Sequence, residues 1–242
     1  MPYRIALAGN PNTGKSTLFN LLTGMRQHTG NWPGKTVMHA EGTFRSFDQD
    51  YIMIDLPGTY SLYSNSADEE VARDYILFEK PDVTMVVLDA TALERNLNLA
   101  LQVMEMTDKV IVCINLIDEA EKKGISIDEN KLQEKLGVPV VKISARNNMG
   151  IEQLLITLDK MVKHEITTRP YHVQYSEEME EKIQQLEPIV QQTFGNLYPS
   201  RWVAIRLLDG DQSLISAIRE HMKMGKRGVF HVGVSGSEAK CH

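Results

Sequence analysis

Residues 9–17 read GNPNTGKST and directly follow the apolar run YRIALA. Gly9, Asn10, Pro11, Asn12, Thr13, Gly14, Lys15 and Ser16 fit the spacing G-x-x-x-x-G-K-[ST]. In that pattern the glycines let backbone N–H groups turn around phosphate oxygens, and the helix that follows adds positive potential. Lys15 is suited to the outer phosphates, Ser16 to Mg²⁺ and Thr17 to the inner phosphate. Later, Asp55-Leu56-Pro57-Gly58 follows the strand-like YIMI. There Asp55 would act on the metal through a water and the Gly58 amide would meet the γ-phosphate. Between the two lies GNWPGKTV, with Gly34, Lys35 and Thr36. The Thr36 hydroxyl suits a Mg²⁺ ligand recruited only with the γ-phosphate, so residues 28–37 read as a switch segment. Lys35 reads as facing solvent.

A second constellation reads a base. Asn115, Leu116, Ile117 and Asp118 follow the apolar run VIVCI. The Asp118 carboxylate matches the N1–H and exocyclic amine of guanine, a donor pair that adenine lacks. Asn115 would contact the base and tie its loop to the phosphate loop. Ser144-Ala145-Arg146 follows the next apolar run, and the Ala145 amide suits guanine O6. Regulatory GTPases carry N-K-x-D where this chain has N-L-I-D. Leu116 keeps apolar contact with the base but loses the charged hydrogen bonds of lysine, which predicts weakened affinity with guanine preference retained.

These loops need a scaffold. Strand candidates are Tyr3–Ala8, Val37–Phe47, Tyr51–Ile54, Val83–Leu88, Val110–Ile114 and Val138–Ile143. Several are continuously apolar, as strands covered on both faces are. Val37–Phe47 is more polar and suits an edge strand, turning through DQD to pair antiparallel with Tyr51–Ile54. Helix candidates are Lys15–Leu22, Asp68–Phe78, Leu93–Met106, Glu129–Leu136 and Ile151–His164. Ser66 and Glu69 fit a capping box, and Gly137 fits a helix end. The expected fold is therefore α/β: a mainly parallel six-stranded sheet flanked by helices, of the P-loop NTPase, Ras-like type.

The pattern changes near residue 165. EITTRPYHVQYS reads as a linker, and Glu177–Phe194, Arg201–Leu208 and Gln212–Met224 read as helices. Pro188 predicts a kink or an early stop in the first. The expected organisation is a nucleotide-binding domain over residues 1–165, a small all-α domain over 170–234 and a disordered tail over 235–242.

The chain has 242 residues and a formal charge of −6, which argues against a primary role on nucleic acid. Two cysteines define no disulfide framework: Cys113 reads as core, and Cys241 beside His242 as tail. No charged leader precedes a long apolar run at the N-terminus, and no run reaches the ~18 apolar residues of a membrane span, so the chain is expected to be soluble and cytosolic.

GNPNTGKSTLFNLLTG, GNWPGKTV, DLPGTYSL and VVLDATALERNL resemble the N-terminal cytosolic part of the bacterial ferrous iron transport protein B family, FeoB. The resemblance covers residues 1 to about 165; the later helices resemble that family's small helical domain by position and size. It implies a GTP- and GDP-binding domain that hydrolyses GTP slowly and regulates ferrous iron transport across the bacterial inner membrane. The helical domain would tighten GDP binding, and the membrane-spanning remainder of the polypeptide would be its partner at the cytoplasmic face. Small accessory proteins of the transport system and oligomerisation are further partners it allows, with no nucleic acid. It also implies K⁺ activation, with Asn12 and backbone carbonyls near Gly30 and Trp32 holding the ion beside the phosphates. The candidate catalytic set is then Asn12, Lys15, Thr36 and Gly58. Thr59 stands where Ras-like enzymes carry a water-orienting glutamine, which fits slow hydrolysis. Two alternatives stay open: a soluble GTPase of ribosome or RNA maturation, and a nucleotide-binding switch with negligible hydrolysis.

Overall fold

The structure, a computed structural model, describes residues 1–24, 27–32, 36–63 and 66–225. Its strands are β1 (Tyr3–Gly9), β2 (Gln27–Asn31), β3 (Met38–Ser46), β4 (Gln49–Asp55), β5 (Val83–Asp89), β6 (Val110–Asn115) and β7 (Val140–Lys142). The helices are α1 (Lys15–Thr23), α2 (Ala67–Asp74), α3 (Leu93–Met106), α4 (Ile117–Lys122), α5 (Glu129–Leu136), α6 (Ile151–Val162), α7 (Glu177–Phe194), α8 (Ser200–Leu208) and α9 (Gln212–Gly225). The strands form one sheet in the order β2-β3-β4-β1-β5-β6-β7. β1 lies between β4 and β5, parallel to both, and β6 and β7 extend the parallel half. β3 is antiparallel to β4 and to β2. The fold is thus the expected Ras-like α/β sheet with a helical region after it.

The sheet has seven strands, not six. The added strand, β2, is the polar segment QHTGN, which lacks the apolar or β-branched run that marks a strand. It forms because β3 offers it an open edge, so β2 rather than β3 is the edge strand. The turn joining β3 to β4 is Phe47-Asp48, one residue earlier than DQD predicts. Both residues have left-handed φ, 46° and 61°, the signature of the primed hairpin turn.

The parallel strands read as unbroken apolar runs, yet each splits its residues between two cores. Ala6, Ala8, Val86, Leu88, Val112 and Ile114 face one, and Ile5, Leu7, Met85, Val87, Ile111 and Cys113 the other. Helices on both sides bury both faces, so neither needs polar residues. Leu18 and Phe19 of α1 and Leu154 and Leu158 of α6 join the second core. Cys113 lies fully within it, and burial pushes its thiol up to about 12. The first core continues from α3 without a break into Ile183, Val190, Trp202, Val203, Ile205, Leu214 and Ile218 of α7–α9.

Three further differences follow from tertiary context. The predicted helix Asp68–Phe78 divides into α2 and a π-helical turn over Tyr75–Glu79. Ser66 caps α2 by accepting from the Glu69 amide at 3.2 Å, as the capping box predicts. α7 runs through Pro188 without stopping. Gln184, whose carbonyl loses its partner there, is exposed, so water can satisfy it. α4 was not expected, because six residues after a strand carry little periodicity.

The linker is pinned. Arg169 N–H donates to the Gly137 carbonyl at 2.8 Å and Tyr171 N–H to that of Leu136 at 2.9 Å. Gly137 ends α5 at φ 68°, and a Cβ there would stand 1.8 Å from the Arg169 carbonyl oxygen, so only glycine fits. The expected tail, with Cys241 and His242, lies outside the described residues. Among those residues no helix is long and apolar enough to cross a membrane.

Candidate functional site

The loop after β1 is shaped by close approach. Gly14 has φ 80°, and a Cβ on it would lie 2.3 Å from Asn115 Nδ2. A Cβ on Gly9 would lie 2.7 Å from the Val87 carbonyl oxygen. Asn12 is left-handed as well, φ 66°, and exposed. The Thr13 hydroxyl donates to the Asn10 carbonyl at 2.9 Å and stiffens the turn. No side chain caps α1, so its first amides face the loop as an anion site would require. Asn10 is 2 % exposed, and both polar atoms of its carboxamide are buried without a hydrogen-bond partner among the described residues.

Lys15 is buried, and its ammonium donates to Asp55 Oδ1 and to the Leu56 carbonyl, the latter at 2.6 Å. Burial pushes the Asp55 carboxyl above its ordinary range, opposed by Lys15 and by the Ser16 hydroxyl. Lys15, Ser16 and Asp55 therefore meet, and a hydroxyl with a carboxylate is the oxygen-only donor set that Mg²⁺ takes. Thr17 is exposed. The loop after Asp55 docks on the phosphate loop. Leu56 N–H donates to the Leu7 carbonyl at 3.0 Å and Thr59 N–H to that of Gly9 at 3.2 Å. A Cβ on Gly58 would touch Pro11 Cα at 3.5 Å, ordinary contact, so Gly58 is adjacent to the loop without being forced to be glycine. Pro57 is half-buried beside it.

Asn115 joins the base loop to the phosphate loop, as its position predicted. Its Nδ2 donates to the Thr13 carbonyl at 2.8 Å, and its Oδ1 accepts from the Ala145 amide at 3.0 Å. That amide is thus already engaged, and a base carbonyl would have to share it. Leu116 opens α4 at φ 63°, its Cδ2 3.9 Å from the Cβ position of Gly14, so it flanks the phosphate loop. Asp118 Oδ2 accepts from Asn147 Nδ2 at 3.0 Å. The nearby Ser144 hydroxyl, then the Asp118 amide, Lys122 and Asn147, hold this carboxyl below its ordinary range. Ser144 is buried, and Arg146 is exposed. Asn147, which also donates to Ser144 Oγ at 3.1 Å, escaped the sequence reading. Its only signal was a carboxamide two residues past Ala145.

The switch segment stands apart. Gly30 pairs with His39 in the β2–β3 ladder. β3 and β4 separate β2 from β1, a span of three strand spacings, about 14 Å. Trp32 N–H donates to the Val37 carbonyl at 2.9 Å, which closes the hairpin, and Thr36 is exposed. Gly34 and Lys35 lie outside the described residues.

Contacts between α2 and the helices beyond residue 170 were not legible either. Arg73 is 1 % exposed, and its Nη1 reaches Ser213 Oγ at 3.3 Å and Asp211 Oδ2 at 3.7 Å. Ser213 Oγ donates to Glu70 Oε1 at 2.7 Å. Phe78 stacks on His221 with centroids 4.5 Å apart. Arg206 lies over the Tyr63 ring, 4.4 Å from its centroid. The segment after Asp55 is thereby fastened to α8 and α9.

A family profile described as ferrous iron transport protein B matches residues 3–158, and one described as the FeoB cytosolic helical domain matches residues 175–228. The Fe(2+) transporter FeoB of Salmonella typhimurium is 41% identical over 211 residues, which is 86% of this chain and 27% of that protein. The chain thus spans about a quarter of the length of that curated relative. Two solved structures of the cytosolic domain of the T. maritima FeoB iron transporter are also similar. The GDP form I has a TM-score of 0.80 at 39% identity, covering 93% of this chain and 86% of that one. The GMPPNP form has a TM-score of 0.79 at 37% identity, covering 96% and 88%.

Proposed function

The chain belongs to the ferrous iron transport protein B family, and from that membership we propose that it binds GTP and GDP and hydrolyses GTP slowly. Through its nucleotide state it regulates ferrous iron passage by a membrane-spanning remainder of the same polypeptide at the bacterial inner membrane. The single observation that carries the guanine reading is the Asp118 carboxylate. Ser144 and Asn147 hold it in its ionised form, in a loop that Asn115 ties to the phosphate loop. An ionised carboxylate accepts the two N–H groups of guanine, a donor pair that adenine does not offer. Similarity to GDP- and GMPPNP-bound relatives supports the same reading.

Lys15 exchanges Asp55 and the Leu56 carbonyl for the outer phosphate oxygens. Ser16 and Thr36 would ligate Mg²⁺, with Asp55 acting through a water, and the ion would supply charge neutralisation to the phosphates. The main chain of residues 9–14, with Thr17, holds the inner phosphates. The Gly58 amide meets the γ-phosphate, and Leu116 covers the base. No carboxamide stands at position 59 to orient the attacking water, which keeps hydrolysis slow. Residues 1–165 act as the nucleotide domain and 170–234 as a helical unit. That unit receives the switch through the Arg73–Ser213–Glu70 contacts. K⁺ stimulation belongs to the same proposal, in which Asn12 and backbone carbonyls near Gly30 and Trp32 would hold the ion beside the phosphates.

Calorimetric titration with GTP, GDP and ATP in Mg²⁺ tests the base reading; ATP binding as tight as GTP overturns it. Single-turnover phosphate release in KCl against NaCl tests the catalytic part. Stimulation by K⁺ that Asn12→Ala removes supports it, and equal near-zero rates in both salts favour a binding switch without hydrolysis.

A further inference from the structure

The side chain of Trp32 has no part in the roles above. It sits edge-on to His39, centroids 4.7 Å apart, and edge-on to Tyr75 at 5.4 Å. Trp32 thus packs on the first core although it lies in a polar hairpin. Tyr75 is buried, and its hydroxyl accepts from Arg4 Nη2 at 3.0 Å. The Arg4 amide in turn donates to Asp82 Oδ2 at 2.7 Å, so Tyr75 is a fixed post. It also starts the π-helical turn Tyr75–Glu79, an irregularity that often marks functional sites. The fit is incomplete, because the indole Nε1–H is shut off from water with no partner among the described residues. A lodged ring with an unsatisfied donor can be held and can be released.

We propose that Trp32 is a latch, a reading that rests on the GTPase function proposed above. Seated between His39 and Tyr75, it keeps β2 zipped to β3 and the switch segment off the phosphates. A triphosphate that recruits Thr36 withdraws the ring and returns its N–H to water. Because Tyr75 continues α2, the latch also joins the switch segment to the helix that carries Arg73 and Glu70. The same ring then reports on both switches.

The test uses the whole chain labelled with 5-fluorotryptophan, which gives one fluorine resonance each for Trp32 and Trp202. Trp32→Phe assigns them, and calorimetry on the same samples follows nucleotide binding. With GDP and Mg²⁺ the Trp32 resonance is expected to show the small H₂O/D₂O shift of a buried ring. With GMPPNP and Mg²⁺ it takes the large shift of an exposed one. Tyr75→Leu gives the exposed signature with GDP and raises the single-turnover rate on the order of tenfold. Tyr75→Phe, which keeps the ring, behaves as the parent. His39→Leu removes the other edge and gives the same exposed signature, a second arm should Tyr75→Leu fail to fold. A Trp32 resonance that stays buried in a calorimetrically verified GMPPNP complex overturns the latch and leaves the GTPase reading intact. Absence of GTP binding overturns both.

Discussion

The base loop and the switch hairpin are held by different forces. On the base side, one buried carboxamide, Asn115, makes two directed hydrogen bonds, to the Thr13 carbonyl and the Ala145 amide. Gly14 is shaped so that no side chain intrudes. On the switch side, β2 is a polar edge strand, and Trp32 rests on ring edges with its N–H unpaired. Breaking a buried hydrogen bond strands two groups, whereas the ladder bonds of an exposed edge strand pass to water when it lifts away. The first region is built to keep one geometry and the second to leave it.

If that contrast is right, damage to the base side is severe and damage to the switch side mild. Gly14→Ala is expected to do most. Left-handed φ costs alanine about 1–2 kcal/mol, and its Cβ would collide with Asn115 Nδ2. A lowered Tm and no measurable GDP binding in calorimetry are the expected results. Near-parental binding would mean that the two loops are not rigidly joined.

Asp118→Ala comes next. Loss of two charge-assisted bonds at about 1.5–3 kcal/mol each is expected to weaken GTP binding at least about a hundredfold while leaving weak ATP binding unchanged. Equal loss for both nucleotides would give Asp118 a structural role instead. Leu116→Lys is milder and opposite in sign. The backbone is already left-handed, as any L-residue there must be, and a charged hydrogen bond is added. Tightening of a few-fold, under about 1 kcal/mol, is expected by calorimetry.

The smallest effect is a pH dependence on the switch side. Burial lowers the His39 pKa from 6.5; Glu41 opposes this and Arg4 adds to it. A lowered histidine favours the folded state above its unfolded value and loses that contribution as pH falls through 6.5 towards the folded value. The chain is therefore expected to lose a little stability below about pH 6.5, read as a falling urea midpoint. His39→Gln flattens that slope; an equal slope in the variant would assign it to other groups.

The phosphate and base loops were legible because their constraints are local. G-x-x-x-x-G-K-S fixes its own backbone, and N-x-x-D places an amide and a carboxylate at the end of one strand. Leu93–Met106 and Glu129–Leu136 were legible to the residue, since periodicity and caps agree there. β2 was not, because QHTGN has no strand signal and pairs only where β3 leaves an edge. The early stop that Pro188 allowed does not occur, for the converse reason: a helix tolerates proline where water satisfies the orphaned carbonyl, and exposure is not written in the sequence. Asn147, Arg73 and Tyr75 act through partners far along the chain.

Sequence alone indicated which groups suit phosphates and guanine, because backbone conformation at glycine and donor–acceptor chemistry are properties of short segments. Tertiary structure alone decided where the switch rests, which rings hold it and which helices it touches. Those depend on edges, faces and burial that exist only once strands far apart in the chain have paired.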